Sequence, residues 1–118
     1  MPLNQPSIGG PTHQDDVTAS RTINTVYQNT KGRTLFVGIM ANVTTGNAGE
    51  QALLIGDTDS ATPPTVTAIY TGIVSSLAQN PQNKVFGFMV VLPGNYYRAR
   101  SAITGAATCT LVKWMEWY

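Results

Sequence analysis

The feature that most constrains the fold is a succession of short apolar segments that alternate with polar residues and end in turn-forming residues. The stretches TLFVGIMANV, KVFGFMVVL and TCTLVKWMEWY are separated by segments such as NTKGR, DTDSATPP and PGN. Alternation with a period of two is typical of β-strands, and regularly spaced turn signals are typical of a β-sandwich or jelly roll. No long stretch shows the 3.6-residue period of a helix.

We therefore predict an all-β domain, a jelly-roll-like β-sandwich of about seven or eight antiparallel strands. A chain of 118 residues is long enough for one such domain with its own core. The residues predicted to lead the core are Leu35, Val37, Ile39, Leu54, Phe86, Phe88, Val90 and Leu111.

The first part of the chain does not share this pattern. Residues 1–22 contain three prolines, a Gly-Gly pair and many polar side chains, without helical or alternating periodicity. We predict an extended N-terminal arm over residues 1–22 and a β-sandwich domain over residues 23–118. The arm is either a disordered leader or a segment that becomes ordered on a neighbouring subunit, and we expect it not to pack on its own sandwich.

The low charge of the chain limits its function. Charged residues make up 11% of the sequence and the formal net charge is +1, whereas about a quarter of the residues in ordinary soluble domains are charged. This balance argues against nucleic-acid or membrane-surface partners and suits a protein packed against other subunits. No signal peptide or membrane-spanning run is recognisable, so we expect the protein to fold in a cytoplasm.

Residues that could carry catalysis or bind a metal are few. The single histidine, His13, lies in the predicted arm, and Cys109 alternates with apolar residues as a buried, unreactive thiol would. Asp57 and Asp59 fall in the segment GDTDS, which lacks the spacing of a calcium-binding loop and is interpreted as a turn. We predict no enzyme activity, no cofactor and no metal.

The C-terminal stretch KWMEWY raises the question of why two tryptophans stand at a chain end. The alternation of TCTLVKWMEWY predicts a strand held in a sheet, and residues three apart in a strand face opposite ways. Hence one of Trp114 and Trp117 should lie in the core and the other at a subunit contact. We favour Trp117 for the contact, although the pattern by itself does not decide between them.

A second candidate contact is the segment YYRAR. In an extended strand Tyr96, Arg98 and Arg100 share one face. Tyrosine and arginine are favoured in subunit interfaces, and they can also stack on sugars or bases. The interface candidates from the sequence are Tyr96, Arg98, Arg100, Trp114, Trp117 and Tyr118.

Three stretches taken together resemble a known family. They are Tyr27-Gln28-Asn29 with Gly32-Arg33 and the apolar strand that follows, then Pro93-Gly94-Asn95-Tyr96-Tyr97, and finally Trp114-Met115-Glu116-Trp117. In order and spacing, over roughly residues 25–118, they resemble the small β-sandwich module of tailed-bacteriophage virion proteins. That module occurs as the C-terminal domain of tail fibres and as short stand-alone virion proteins. The family often has Pro-Pro-Gly where this chain has Leu92-Pro93-Gly94.

The resemblance implies a virion structural protein assembled in the cytoplasm of a bacterial host. The short arm, without a fibre shaft, suits a capsid decoration protein or a small fibre, collar or tail-tip subunit. We expect it to dock on other virion proteins, capsid or tail subunits, through its arm and sheet surface, as a homotrimer. The alternative is a tail-fibre or tail-tip receptor-binding module that recognises host surface glycan through exposed aromatic and arginine side chains.

Overall fold

The computed structural model describes residues 10–75 and 83–118, which form eight β-strands and one three-residue 3₁₀ turn, Thr18–Ser20. Residues 76–82 and residues 1–9 of the predicted arm lie outside the described residues. The strands are β1 Gln14–Asp16, β2 Thr25–Gln28, β3 Leu35–Thr44, β4 Gln51–Asp59, β5 Thr67–Val74, β6 Asn83–Val91, β7 Tyr96–Ile103 and β8 Thr108–Trp117.

The strands form two four-stranded antiparallel sheets. Sheet I has the order β1-β8-β3-β6 and sheet II the order β2-β7-β4-β5. The first strand thus pairs with the last, the second with the seventh, the third with the sixth and the fourth with the fifth. A ribbon of four such pairs that is rolled up so that successive pairs alternate between sheets is a jelly roll. The fold predicted from the alternating pattern is therefore confirmed.

The core lies between the two sheets and is built from alternate residues of the long strands. Four of the predicted core residues, Leu35, Val37, Ile39 and Leu54, are at most 1% exposed, and Leu111 is half-buried against the same cluster. Sheet II contributes Tyr97 and other side chains to the core, because every second residue of its strands also points inward.

Three of the core predictions are wrong. Phe86, Phe88 and Val90 are 57%, 48% and 45% exposed and point away from the core, whereas Gly87, Met89 and Val91 point inward. The segment KVFGFMVVL is apolar on both faces, so its pattern does not reveal which face is buried. Packing decides: a Cβ atom at Gly87 would lie 2.3 Å from Cγ2 of the buried Ile69, so only glycine fits beneath that side chain.

A β-bulge in β8 changes the predicted alternation of the terminal strand. Met40 pairs with Lys113, but the next residue of β3, Ala41, pairs with Leu111, which leaves Val112 as an extra residue. One extra residue reverses the facing of everything beyond it. Leu111 therefore lies on the core side together with Trp114, although strict alternation had placed them on opposite faces.

The described part of the N-terminal segment packs on its own sandwich, contrary to the prediction for residues before Thr22. Strand β1 pairs with β8 in sheet I, and the backbone N–H groups of Thr12 and His13 both donate to the carbonyl of Tyr118. Beyond β1, Val17 donates to the carbonyl of Trp114. The backbone N–H and C=O groups along the free edge of β8 need hydrogen-bond partners. The backbone of the polar segment supplies them, and this pairing does not require apolar side chains in that segment.

The interpretation of GDTDS as a turn is also wrong at its first aspartate. Asp57 lies within β4, is 1% exposed and accepts hydrogen bonds from Arg98 and Arg100 of β7. Asp59, at the end of the strand, does have the local bonds of a turn residue, since it accepts from the backbone N–H groups of Ala61 and Thr65.

Candidate interaction surface

The outer face of sheet I carries the largest group of exposed apolar side chains that share one sheet face among the described residues. Cross-strand register arranges it in three rows: Val90, Phe36 and Trp117; then Phe88, Gly38 and Met115; then Phe86, Met40 and Lys113. We call these nine positions the outer aromatic face.

The aromatic rings of this face contact one another across the strands. The ring centroids of Phe36 and Phe88 are 6.2 Å apart, and those of Phe88 and Trp117 are also 6.2 Å apart. Gly38 lies at the centre: a Cβ there would be 3.0 Å from Cζ3 of Trp117 and 3.4 Å from Cζ of Phe86. The missing side chain lets the indole of Trp117 approach the backbone of β3 closely.

The outer aromatic face is nearly neutral. Its single charged residue, Lys113, already forms an ion pair with Asp16 of β1 at 2.9 Å. Threonine, asparagine and Lys84 continue the same strands beyond the third row, where Lys84 pairs with Asn42 and Asn42 with Thr110. An apolar centre bordered by polar residues is the arrangement found in protein–protein interfaces.

The outer face of sheet II differs from that of sheet I because it carries a cluster of charged side chains. Oδ2 of Asp57 lies 3.1 Å from Nη2 of Arg98 and 2.6 Å from Nε of Arg100. The hydroxyl of Thr67 donates a hydrogen bond of 3.0 Å to Oδ1 of Asp57. Burial works against ionisation of Asp57, but the bonds from Arg100 and Arg98 outweigh it and lower the pKa of the carboxyl group. The two arginines predicted as interface candidates are therefore held on their own sheet, and Tyr96 beside them is half-buried.

The two tryptophans of β8 point to opposite sides, as three-residue spacing requires. Trp114 is 0% exposed in the core, while Trp117 lies half-buried on the outer aromatic face. The structure thus places Trp114 away from any surface and leaves Trp117 as the tryptophan that a partner can reach.

Trp114 belongs to a buried cluster centred on Glu116, which is 2% exposed. Oε2 of Glu116 accepts hydrogen bonds from the Tyr97 hydroxyl at 2.7 Å, from Nε1 of Trp114 at 3.0 Å and from Nε of Arg21 at 3.2 Å. Nη2 of Arg21 lies 3.1 Å from Oε1, which completes a two-point ion pair. Burial and the nearby Glu116 carboxylate raise the pKa of Tyr97, so the phenol stays protonated as the donor.

The three stretches that carry the family resemblance meet in this part of the fold. The ring of Tyr27 is tilted against that of Tyr97 and lies edge-on to Trp114, with centroid distances of 5.9 and 5.8 Å. The side chain of Asn29 donates to the carbonyls of Arg33 and Val91 at 2.8 and 3.0 Å, which fastens the turn after β6. Tyr27, Asn29 and Trp114 thus hold the two sheets together, whereas Trp117, Met115 and the apolar strand after Arg33 contribute to the outer aromatic face.

Tyr118 lies at the edge of a different feature, a cavity of about 600 Å³ whose walls include Arg33, Phe36 and Pro93. Its ring stacks on His13 at 4.8 Å, the ammonium group of Lys31 lies 4.4 Å from its centroid, and its hydroxyl donates to Asp15 at 2.8 Å. Tyr118 is therefore tied to the N-terminal segment by several contacts.

The surroundings of the remaining candidates from the sequence indicate a structural role. Cys109 is half-buried beside the core, and burial raises the pKa of its thiol. Within residues 10–75 and 83–118, no three His, Cys, Asp or Glu side chains are grouped as metal ligands would be. No helix in the same part of the chain has the length and apolarity to cross a bilayer.

The sequence missed the exposed positions of the outer aromatic face. Phe86, Phe88 and Val90 were assigned to the core, and Phe36 was not singled out. The sequence does contain one signal, because KVFGFMVVL is apolar on both faces. If only one of those faces packs on the core, the other is an exposed apolar surface that needs an explanation.

The fold and this surface define a jelly-roll domain with an exposed aromatic sheet face. Comparison of the chain with known protein families, with characterised proteins and with solved structures finds no match.

Proposed function

We propose that the chain is a structural subunit of a bacteriophage particle, a small capsid decoration or fibre/collar protein that associates with neighbouring virion proteins through the outer aromatic face. The observation that carries the proposal is the contiguous apolar surface around Gly38. Exposed aromatic side chains of this size are costly to leave in water, and a partner subunit that covers them removes that cost.

Two further observations support a virion setting. The ordered motifs from Tyr27 to Trp117 resemble those of tailed-phage virion modules. The jelly roll is a fold that viral capsid proteins use repeatedly, although the same fold also serves lectins and enzymes, so the fold contributes by analogy only.

The alternative, a receptor-binding module for host glycan, draws on the interface candidates Tyr96, Arg98 and Arg100. In the structure both guanidinium groups are engaged by Asp57, which reduces the donors they have left for a sugar. The aromatic surface on sheet I lacks the convergent polar groups by which sugars are oriented. We therefore favour protein–protein association.

The test is the presence and copy number of the chain in purified phage particles, measured by quantitative mass spectrometry. We expect it as a stoichiometric component that survives washing at high salt, because apolar contacts are insensitive to screening. A copy number close to that of the major capsid protein would indicate decoration, and a few copies would indicate a collar or tail position. Absence from washed particles would overturn the proposal.

A second experiment assigns the surface. Phe88→Glu places a charge in the middle row of the outer aromatic face, and Tyr70→Glu places the same charge at a 71% exposed tyrosine on sheet II. We expect Phe88→Glu to abolish incorporation into particles and Tyr70→Glu to leave it unchanged. Equal incorporation of both variants would exclude the outer aromatic face as the docking surface.

A further inference from the structure

We infer that the occupant of the outer aromatic face is the same face of another copy of this chain, so that subunits associate with their sheets I packed against each other. This deepens the proposed function and rests on it: it identifies which neighbour covers the surface. The argument uses the charge, the shape and the area of the face.

The charge of the face permits a self-contact. When an apolar face packs on its own copy, an unpaired charge within it is buried without a partner of opposite sign, which is costly. The one charged position among the nine, Lys113, is already neutralised by Asp16 at 2.9 Å. A neutral face neither repels its own copy nor selects a partner of opposite charge.

The shape of the face also permits it. Two sheets pack face to face at about 10 Å when their side chains are of moderate height and no ridge intervenes. The indole of Trp117 lies close over Gly38, where a side chain on β3 would hold it further out, and the neighbouring ring of Phe88 is inclined to it by 45°. A surface of this kind accepts a second sheet in the way that sheet I accepts sheet II inside the domain.

The apolar area of the face is about half of what a subunit contact buries on each partner, which is the share expected of an apolar centre. Phe86 and Phe88, each about half exposed, offer roughly 100 Å² each. With Val90, Leu92 and the half-buried Phe36 and Trp117, the apolar area is on the order of 400 Å². A stable interface buries about 800 Å² on each partner, with an apolar centre and a polar rim. The polar side chains of the next row, Lys84, Asn42 and Thr110, can supply that rim.

The experiment is sedimentation equilibrium of the purified full chain over about 1–500 µM, a range that covers weak to moderate self-association. We expect a concentration-dependent dimer, because a face that packs on its own copy closes at two subunits, whereas the homotrimer expected from the resemblance would need a contact between two different surfaces. Phe88→Glu should raise the dissociation constant at least about 30-fold, as the loss of a central aromatic contact does. Tyr70→Glu, the matched control on sheet II, should leave the constant unchanged.

A spectroscopic measurement ties the association to this surface. The chain has two tryptophans, and Trp114 is 0% exposed. Any blue shift of the fluorescence on association therefore reports Trp117. We expect this shift in the wild type and its loss in Trp117→Phe, in which association itself persists.

The outcomes separate the inference from the proposed function. A chain that stays monomeric at 500 µM, or an oligomer that Phe88→Glu leaves intact while circular dichroism shows a folded variant, would overturn the self-contact. If such a monomer still enters particles and Phe88→Glu prevents it, the proposed function stands and the occupant is another virion protein. If Phe88→Glu does not fold, Phe86→Gln, at a 57% exposed position, replaces it with the same expectations.

Discussion

The two sides of strand β8 carry aromatic side chains of similar size in opposite environments. On the inner side Trp114 and Tyr97 are buried and both donate hydrogen bonds to Glu116. On the outer side Trp117 packs on Gly38 and beside the ring of Phe88. Aromatic residues with polar tips are tolerated inside a domain when an acceptor is buried with them. The outward-facing rings of Phe86 and Phe88 remain about half exposed to water.

The largest expected effect that tests this comparison comes from replacing each tryptophan in turn. Trp114→Ala should lower the free energy of unfolding by about 3–5 kcal/mol, because it empties a fully enclosed site and removes a donor to Glu116. Trp117→Ala should cost about 1 kcal/mol or less and weaken association instead. Urea unfolding of the two variants measures the difference, and equal losses would show that the two sides are energetically alike.

The second expected effect concerns the carboxylate that the inner aromatics share. Glu116→Gln should destabilise the domain by about 2–3 kcal/mol, since the amide removes the charge that Arg21 pairs with and presents N–H donors to other donors. A double-mutant cycle with Arg21→Ala should give a favourable coupling energy between the two residues. Purely additive losses would indicate that Arg21 contributes nothing to holding Glu116.

A smaller effect is expected at the polar outer face of sheet II. Asp57→Asn should cost about 1 kcal/mol, because Arg98 and Arg100 remain partly in contact with water and are not left as buried charges. The self-association of the chain should not change, in contrast to the effect of Phe88→Glu on sheet I. Thermal melting and sedimentation of the same variant provide both readings, and a weaker oligomer would extend the interface to sheet II.

The smallest expected effect concerns the carboxylate of Glu50. The carboxylate of Glu50 accepts the backbone N–H groups of Ala106, Asn47 and Gly46 and the side-chain amide of Asn47. The bond from Ala106 and the amide of Asn47 contribute most to lowering its pKa from 4.5 to about 2.

Because this pKa is lowered on folding, the stabilisation is complete above pH 4.5 and is lost as the pH falls towards 2. The stability difference between wild type and Glu50→Gln, measured by urea unfolding, should therefore shrink over that range. A difference that stays constant with pH would mean that the charge of Glu50 is not what stabilises its turn.

The sequence predicted the strands well, because alternation and turn residues act locally. Segments such as TLFVGIMANV show one apolar face, and Leu35, Val37 and Ile39 are buried as that face requires. The candidate surface was predicted less well. Of its residues only Trp117 had been singled out as a contact.

What the sequence by itself determined is that this chain forms antiparallel strands with a core on one face and a tryptophan on each side of the last strand. Tertiary structure alone decided which face of β6 is buried, where the bulge at Val112 reverses β8, and that residues 14–21 pack beside β8. These choices depend on residues far apart in the chain, such as Ile69 above Gly87 and Arg21 beside Glu116. A periodic pattern reports only what neighbours in sequence share, whereas the side on which a two-faced strand is buried depends on what packs against it.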